Sequence, residues 1–394
     1  MDIKIFPTLL SGTVSKLQSK SYAHRNLIAL ALAGNMDFSP VDLNSDDIKA
    51  TADGLLRLSE ENPTIDSHES GTTLRMLLPI LAVTKNKSHL VLGHQLANRP
   101  IDPLINAINR GGCQITRDNL NIYIDGNLKG GDFYIPGNIS SQFISGLLYA
   151  LPLCQNDSHL YVNTEIQSRP YVDMTLKVLR DFGISIDETK SNQRSDTTVF
   201  NIKGGQKYIS PKNLSVETDW SNSAFWLTSN FLGSQIKVNG LREDSLQGDK
   251  GIVAILKRLK TSDQVEINLS DIPDLLPTLA IAASYRKPSA VTRFTNIARL
   301  HIKESDRVFS TRQMILNLGG EFFSDEDQIV ITSKGGLSGG IVDAYDDHRI
   351  VMAAAVGATL SKEPVTILGA QAVNKSYPNF FEQYQELGGK IVKL

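Results

Sequence analysis

Cysteine is almost missing from this 394-residue chain: there are two, Cys113 and Cys154. Two thiols cannot knit a disulfide scaffold, and with no export-like start such scarcity points to a reducing cytoplasm. Both lie in apolar surroundings, GGCQI and LPLCQ, and read as buried free thiols, a single disulfide staying open. Net charge is also almost missing, 40 basic against 42 acidic residues for a formal −2, so nothing global attracts nucleic acid or an anionic membrane. Any anion must be held by local groups of Lys and Arg. No apolar run approaches the roughly 20 residues that span a bilayer. The opening MDIKIFPTLLSGTV lacks the charged and apolar regions of a signal peptide, so none is expected. There is no GxGxxG and no GxxxxGK[ST], which removes support for a Rossmann or P-loop nucleotide site. The seven histidines are scattered, with no HExxH or CxxC, so neither metal nor organic cofactor is expected.

What is present is globular: 41% hydrophobic and 21% charged residues, in a chain too long for one ordinary core. Two domains, or one large repeated one, are the expectation. A local pattern recurs: an amphipathic helical stretch that stops at Gly or a polar residue and runs into a short strand. It spans Leu104 to Thr116, Leu176 to Ile186, Val253 to Ile267, Arg312 to Phe323 and Phe380 to Val392, with a weaker copy from Ala52 to Ile65. Leu and Ile at three- and four-residue spacing mark one buried helix face. Gly closes a helix in the left-handed conformation, and the β-branched or aromatic residues after it read as strand. Six copies spaced by roughly 50 to 80 residues suggest a repeated α/β unit, although helix-Gly-strand is common in α/β proteins generally.

Cations and hydroxyls gather beside turns and helix starts, an arrangement suited to phosphate and carboxylate ligands. In Ser19-Lys20-Ser21-Tyr22-Ala23-His24-Arg25 the serine would cap a helix. Lys20 and Arg25 would then burden its positive end unless an anion sits between them. Glu69-Ser70-Gly71-Thr72-Thr73-Leu74-Arg75 precedes another apolar helix, and Gly71 would admit an anion close to the backbone. Asn98-Arg99-Pro100, Ser140-Ser141-Gln142-Phe143, Ser168-Arg169-Pro170-Tyr171 and Ile272-Pro273-Asp274 follow. Asp274 alone would pass for an ordinary first-turn acid. Lys303-Glu304-Ser305-Asp306-Arg307, if helical, puts Lys303 and Arg307 on one face with Glu304 paired to Arg307. A surface salt-bridge ladder is the ordinary explanation of such a run. Asp346-Asp347-His348-Arg349 and Asn374-Lys375-Ser376-Tyr377-Pro378 complete the series.

In combination and order, from about Lys20 to Pro378, these segments resemble the motifs of the 5-enolpyruvylshikimate-3-phosphate synthase family. The resemblance implies a mixed α/β fold (α+β by strict class), a two-domain inside-out α/β barrel of six βαβαββ repeats, three per domain. The N-terminal strand would return to the second domain, giving a discontinuous domain of residues 1–18 plus 217–394 and another of 19–216, with the active site in the cleft. The implied reaction moves the enolpyruvyl group of phosphoenolpyruvate onto the 5-hydroxyl of shikimate 3-phosphate and releases phosphate. Carried over by motif, Lys20 would touch both substrates. Shikimate 3-phosphate would be held by Ser21, Arg25, Ser140, Ser141, Gln142, Ser168, Tyr171, Asp274 and Lys303. Phosphoenolpyruvate would be held by Gly71, Arg99, Gln142, Arg307, Arg349 and Lys375. Asp274 would be the base, Glu304 the proton donor to C3, and Lys20 a third catalytic group. A cytoplasmic monomer is expected, binding these two small molecules and neither nucleic acid nor membrane.

The chain departs from the family pattern at three places. Glu69 stands where the best-known members have Asn, and it adds a negative charge beside an anion site. Arg299 replaces a common Asn, and His301 a common Arg. The sibling transferase acting on UDP-N-acetylglucosamine is the nearest rival. It usually has a catalytic Cys where this chain has His94, and Lys-Asn where this chain has Lys20-Ser21. A non-catalytic scaffold of the same fold is the other alternative. It leaves unexplained the joint retention of Lys20, Asp274, Glu304, Arg307, Arg349 and Lys375.

Overall fold

The computed structural model describes residues 1–190 and 197–394. The chain forms two compact units: a discontinuous one, residues 1–19 with 217–394, and the stretch 20–216 inserted into it. The chain begins with β1 (Ile3–Phe6) and β2 (Ser11–Val14). The inserted unit opens with two helices, α1 (Lys20–Leu32) and α2 (Asp46–Leu56). Then come β3 (Thr64–Asp66), α3 (Gly71–Thr84), β4 (Lys87–Val91), the short α4 (His94–Ala97), α5 (Asp102–Arg110), β5 (Gln114–Asp118) and β6 (Asn121–Asp125). The same order repeats in β7 (Gly131–Ile135), α6 (Ser141–Ala150), β8 (Ser158–Val162), α7 (Arg169–Asp181), β9 (Ile186–Lys190) and β10 (Thr198–Ile202).

The discontinuous unit resumes with α8 (Trp220–Phe231), β11 (Gln235–Val238) and α9 (Ile252–Thr261). It continues through β12 (Gln264–Asn268), α10 (Leu276–Ser284), β13 (Val291–Thr295), α11 (Arg307–Asn317), β14 (Phe323–Ser324) and β15 (Gln328–Thr332). The chain ends with β16 (Gly340–Asp343), α12 (His348–Ala358), β17 (Val365–Leu368), α13 (Phe380–Glu386) and β18 (Lys390–Lys393).

Four sheets share one plan: β3-β4-β6-β5, β7-β8-β10-β9, β12-β13-β15-β14 and β16-β17-β1-β18. In each, the first pair is parallel and the other two pairings are antiparallel. The parallel pair needs a helix to cross over; the antiparallel pairs β5-β6 and β14-β15 join strands next to each other in sequence, while β4-β6, β8-β10 and β13-β15 each skip a strand. The last sheet is completed from the far end of the chain, with Ile3 opposite both Ile367 and Lys393. A fifth, two-stranded parallel sheet joins β2 to β11.

The repeat is plainest in the helices, which pair as one buried and one amphipathic member. All of α10 and α12 is buried, as is nearly all of α3 and α6 and most of α1 and α8. Their partners α2, α5, α7, α9, α11 and α13 bury one face only. Among the described residues this makes six pairs, three per unit, of which four carry a complete four-stranded sheet. Each unit has its own core: Phe143, Leu148 and Phe200 belong to one, Trp226, Leu279 and Ile350 to the other.

The six helix-to-strand passages read from the sequence all form, but they are of two kinds. Those ending α5, α7, α11 and α13 pass through Gly112, Gly183, Gly319 and Gly388, all with φ between 81° and 95°. These lead into the strand at the antiparallel edge of a sheet. Those ending α2 and α9 have no such glycine and lead into the edge strand of a parallel pair. No helix among the described residues is long and apolar enough to cross a membrane.

Candidate active site

The buried helices place several motif residues at or just before their N-terminal ends. A buried helix presents unpaired N–H groups and the positive end of its dipole there, which favours an anionic ligand. Lys20 begins α1, Gly71 begins α3, Ser140 and Ser141 begin α6, Asp274 lies in the short turn before α10, and Arg349 is in the first turn of α12.

In the inserted unit, Lys20 Nζ is 2.8 Å from Asp47 Oδ2. The sequence suggests that a bound anion relieves the crowding of Lys20 and Arg25; here Asp47, from α2, already faces Lys20. Arg25 is 2% exposed and points toward α7. Its Nε donates to Thr175 Oγ1 at 2.9 Å, Nη1 to Ser21 O and Nη2 to Tyr171 O, both at 2.8 Å. Ser21, Arg25 and Tyr171 are thus one cluster. Ser168 takes a left-handed φ of 56° at the start of α7 and is buried, a strained setting for a non-glycine residue.

The second cluster of this unit surrounds Gly71. A methyl group there would lie 2.9 Å from a terminal nitrogen of both Arg75 and Arg99, so the missing side chain is what lets two guanidiniums approach the helix start. Gln142 lies beside them: its Oε1 accepts from Arg75 Nη1 at 2.9 Å and its Nε2 donates to Thr72 Oγ1 at 2.8 Å. Ser140 caps α6, accepting from Gln142 N at 3.3 Å.

The discontinuous unit gathers the acids. Arg307 is fully buried and is met by three carboxylates: Asp274 Oδ1 at 2.6 Å, Glu304 Oε2 at 2.5 Å and Asp347 Oδ2 at 3.0 Å. Asp274 also faces Arg349 Nη2 at 3.1 Å and Lys303 Nζ at 3.7 Å. Burial pushes the Asp274 carboxyl up, but Arg349, Lys303 and Arg307 outweigh it and hold it well below the usual range. Burial lowers Lys303 to about 8, with Arg307 and Arg299 adding to the effect and Asp274 and Glu304 opposing it. Lys375 donates from Nζ to Asp346 O at 2.9 Å, beside two consecutive left-handed residues, Tyr345 and Asp346.

The run Lys303 to Arg307 differs from the helical and exposed alternatives open to it, while the Glu304–Arg307 pair does form. Lys303 to Asp306 is not helical; it is an irregular entry to α11, whose N-cap is Asp306, accepting from Phe309 N at 3.0 Å. Nor is the run a surface ladder, because Arg307 has no exposure. The departures from the family pattern also find partners: Arg299 donates to Ser270 O, and His301 Nδ1 is 2.8 Å from Asp306 Oδ2. Three acids of the site are not singled out by the sequence. Asp347 lies inside the motif Asp346 to Arg349 with no signal of its own. Asp47 is signalled only by its place at the start of α2. Asp249 is buried, accepts from Ser221 Oγ at 2.5 Å, and is pushed up to about 6 by burial and by Asp274. Both cysteines are free and buried, with burial pushing Cys113 up to about 11 and Cys154 to about 12.

A profile of the EPSP synthase (3-phosphoshikimate 1-carboxyvinyltransferase) family matches residues 56–384. The 3-phosphoshikimate 1-carboxyvinyltransferases of Clostridium novyi (strain NT) and Clostridium kluyveri are 35% and 36% identical to this chain, over 99% of it and 98% of each relative. The chain belongs to the EPSP synthase family. An EPSP synthase structure from Acinetobacter baumannii shares the fold, with a TM-score of 0.77 over 100% of both chains at 22% identity. Family membership carries the activity: a 3-phosphoshikimate 1-carboxyvinyltransferase, EC 2.5.1.19, in aromatic amino-acid biosynthesis. The substrates of an EPSP synthase, phosphoenolpyruvate and shikimate 3-phosphate, are the anions that such helix starts and guanidiniums suit.

Proposed function

We propose that the two units divide the labour of this transfer. The inserted unit holds shikimate 3-phosphate through Lys20, Ser21, Arg25, Ser140, Ser141, Gln142, Ser168 and Tyr171, and phosphoenolpyruvate through Lys20, Gly71, Arg99 and Gln142. The discontinuous unit supplies Asp274 as base and Glu304 as acid, with Lys303 on shikimate 3-phosphate and Arg307, Arg349 and Lys375 on phosphoenolpyruvate. The 5-hydroxyl oxygen bonds to C2 of phosphoenolpyruvate while its proton passes to Asp274 and Glu304 protonates C3. The tetrahedral adduct then breaks the C2–O bond to phosphate and returns the C3 proton, restoring the double bond.

The observation that carries this reading is the set of cations around Asp274. While they face it, Asp274 is a weak base. Each substrate brings a phosphate and a carboxylate that compete for those cations. Binding would weaken their hold on Asp274 and raise its proton affinity when a base is required. Activity without metal or organic cofactor, as a cytoplasmic monomer, completes the proposal.

Asp274→Asn and Glu304→Gln keep shape and remove proton transfer, so each should lower turnover by on the order of 10² or more. Phosphate release with both substrates, compared with each alone, is the measurement. Glu304→Gln should still bind shikimate 3-phosphate like the parent. Turnover at the parental rate in Glu304→Gln would return that carboxylate to a structural ion pair.

A further inference from the structure

The charge of Glu69, which sequence reasoning sets against an anion site, is directed elsewhere. Its Oε2 accepts from Leu96 N at 2.7 Å and its Oε1 from Gln95 N at 3.3 Å, so the carboxylate caps the single turn of α4. The approach is close enough that a side chain at Gly93 would overlap the Glu69 carboxylate, and Gly93 N donates to His68 O at 2.7 Å. Arg99 hangs from the end of this turn, its N–H donating to Leu96 O at 3.0 Å. On the far side, Arg75 Nη2 donates to Pro100 O at 3.1 Å. The loop carrying Arg99 is therefore pinned before and after that residue, by two side chains that flank Gly71 in sequence. The result is the guanidinium of Arg99 lying over Gly71.

We propose that Glu69 is a positioning residue for phosphoenolpyruvate binding: by capping α4 it fixes Arg99 over the start of α3. The proposal rests on the assignment of Arg99 to phosphoenolpyruvate. Backbone N–H groups donating to a carboxylate make the stronger class of hydrogen bond, and a guanidinium displaced by about an ångström loses much of its effect on a bound anion. Asn, being shorter, could not span the same two donors from this position.

The test is steady-state phosphate release on Glu69→Ala and Glu69→Gln, each alone and with Arg99→Ala. Glu69→Ala should raise the KM for phosphoenolpyruvate on the order of tenfold. The kcat and the KM for shikimate 3-phosphate should stay within about twofold of the parent. Glu69→Gln should fall between, because an amide keeps one acceptor oxygen and turns an N–H toward the other donor. With Arg99 already removed, Glu69→Ala should change the KM no further.

A Glu69→Ala enzyme with parental KM overturns the proposal, as does an equal rise in both KM values or an effect that adds in full to that of Arg99→Ala. If Arg99→Ala itself leaves the KM for phosphoenolpyruvate unchanged, the ligand assignment fails first and takes the proposal with it. Should Glu69→Ala not fold, Glu69→Gln carries the test with amide exchange at Gln95 and Leu96. Faster exchange there, alongside the raised KM, is expected; unchanged protection would refute the cap.

Discussion

Arg25 and Arg307 are both buried cations that close a sequence motif, one in each unit, and they are held in opposite ways. Arg25 is bonded to a hydroxyl and two carbonyls, and burial lowers it, with Tyr149, Tyr171 and Tyr22 offsetting part of the effect. Burial also pulls Arg307 down, but Asp347, Glu304 and Asp274 more than reverse it and raise it above its ordinary value. A guanidinium held by neutral groups keeps its charge available to a ligand; one held by carboxylates has that charge matched inside the protein. On the proposed assignment, Arg25 thus suits the inserted unit to receive an anion. On the same assignment, the discontinuous unit would have the character of a proton-handling centre, whose cations and acids are re-paired when substrates bind.

Removing each guanidinium should expose the difference. Arg307→Met leaves three partly or wholly buried carboxylates without their shared cation and should cost about 3 to 5 kcal/mol of stability. Arg25→Met leaves only neutral acceptors unmet and should cost about 1 to 3 kcal/mol. Urea unfolding of the two variants beside the parent measures both. An Arg25→Met loss as large as that of Arg307→Met would break the comparison.

Lys303 sharpens it from the ligand side. Since burial lowers this ammonium to about 8, it loses its charge as pH rises through that value. If it holds shikimate 3-phosphate, affinity should fall above pH 8, by up to about tenfold per pH unit. Lys303→Arg should flatten the profile, because guanidinium stays charged throughout. Titration calorimetry from pH 7 to 9.5 decides; identical profiles for the two proteins would remove Lys303 from the site.

The helical skeleton was legible because it is local. Leu104, Ile105 and Ile108 mark a buried face by spacing alone, and Gly112 announces the end of that helix. The pairing of β1 with β17 and β18 was not legible from local pattern, since it joins opposite ends of the chain, as Ile3 with Ile367 and Lys393; it came only with the family resemblance. The same divide runs through the site. Lys20, Arg99, Asp274 and Arg307 were visible as motif residues. Which carboxylate faces which cation depends on turns the pattern cannot fix: Asp306 caps α11, which makes Lys303 to Asp306 irregular and sends Arg307 inward. Asp47 and Asp249 were missed because an acid near a helix start is commonplace until its partner is known.

The smallest effect expected, and the one most particular to the inserted unit, concerns His24. It is 1% exposed in α1, with Nδ1 2.8 Å from Thr51 Oγ1. Thr51 in turn is 2.6 Å from Thr73 Oγ1, which donates to Ser70 Oγ, the cap of α3, at 2.7 Å. The imidazole thus anchors a file of hydroxyls joining α1, α2 and the helix that begins at Gly71. Burial, then Lys20, then Arg25 hold it well below its ordinary 6.5, so it is neutral in the folded chain. The unfolded chain takes up this proton near pH 6.5 while the folded chain does not, so stability is present above 6.5 and is lost as pH falls below it. The loss should reach at most about 1.4 kcal/mol per pH unit until the folded group titrates. His24→Gln, which can still meet Thr51, should give a shallower decline between pH 6.5 and 5, read as the difference in urea midpoint between variant and parent. Parallel curves for the two proteins would mean that His24 gains its proton without penalty, and that Asp47 offsets Lys20, and the neutral partners of Arg25 offset its charge, more fully than the buried geometry implies.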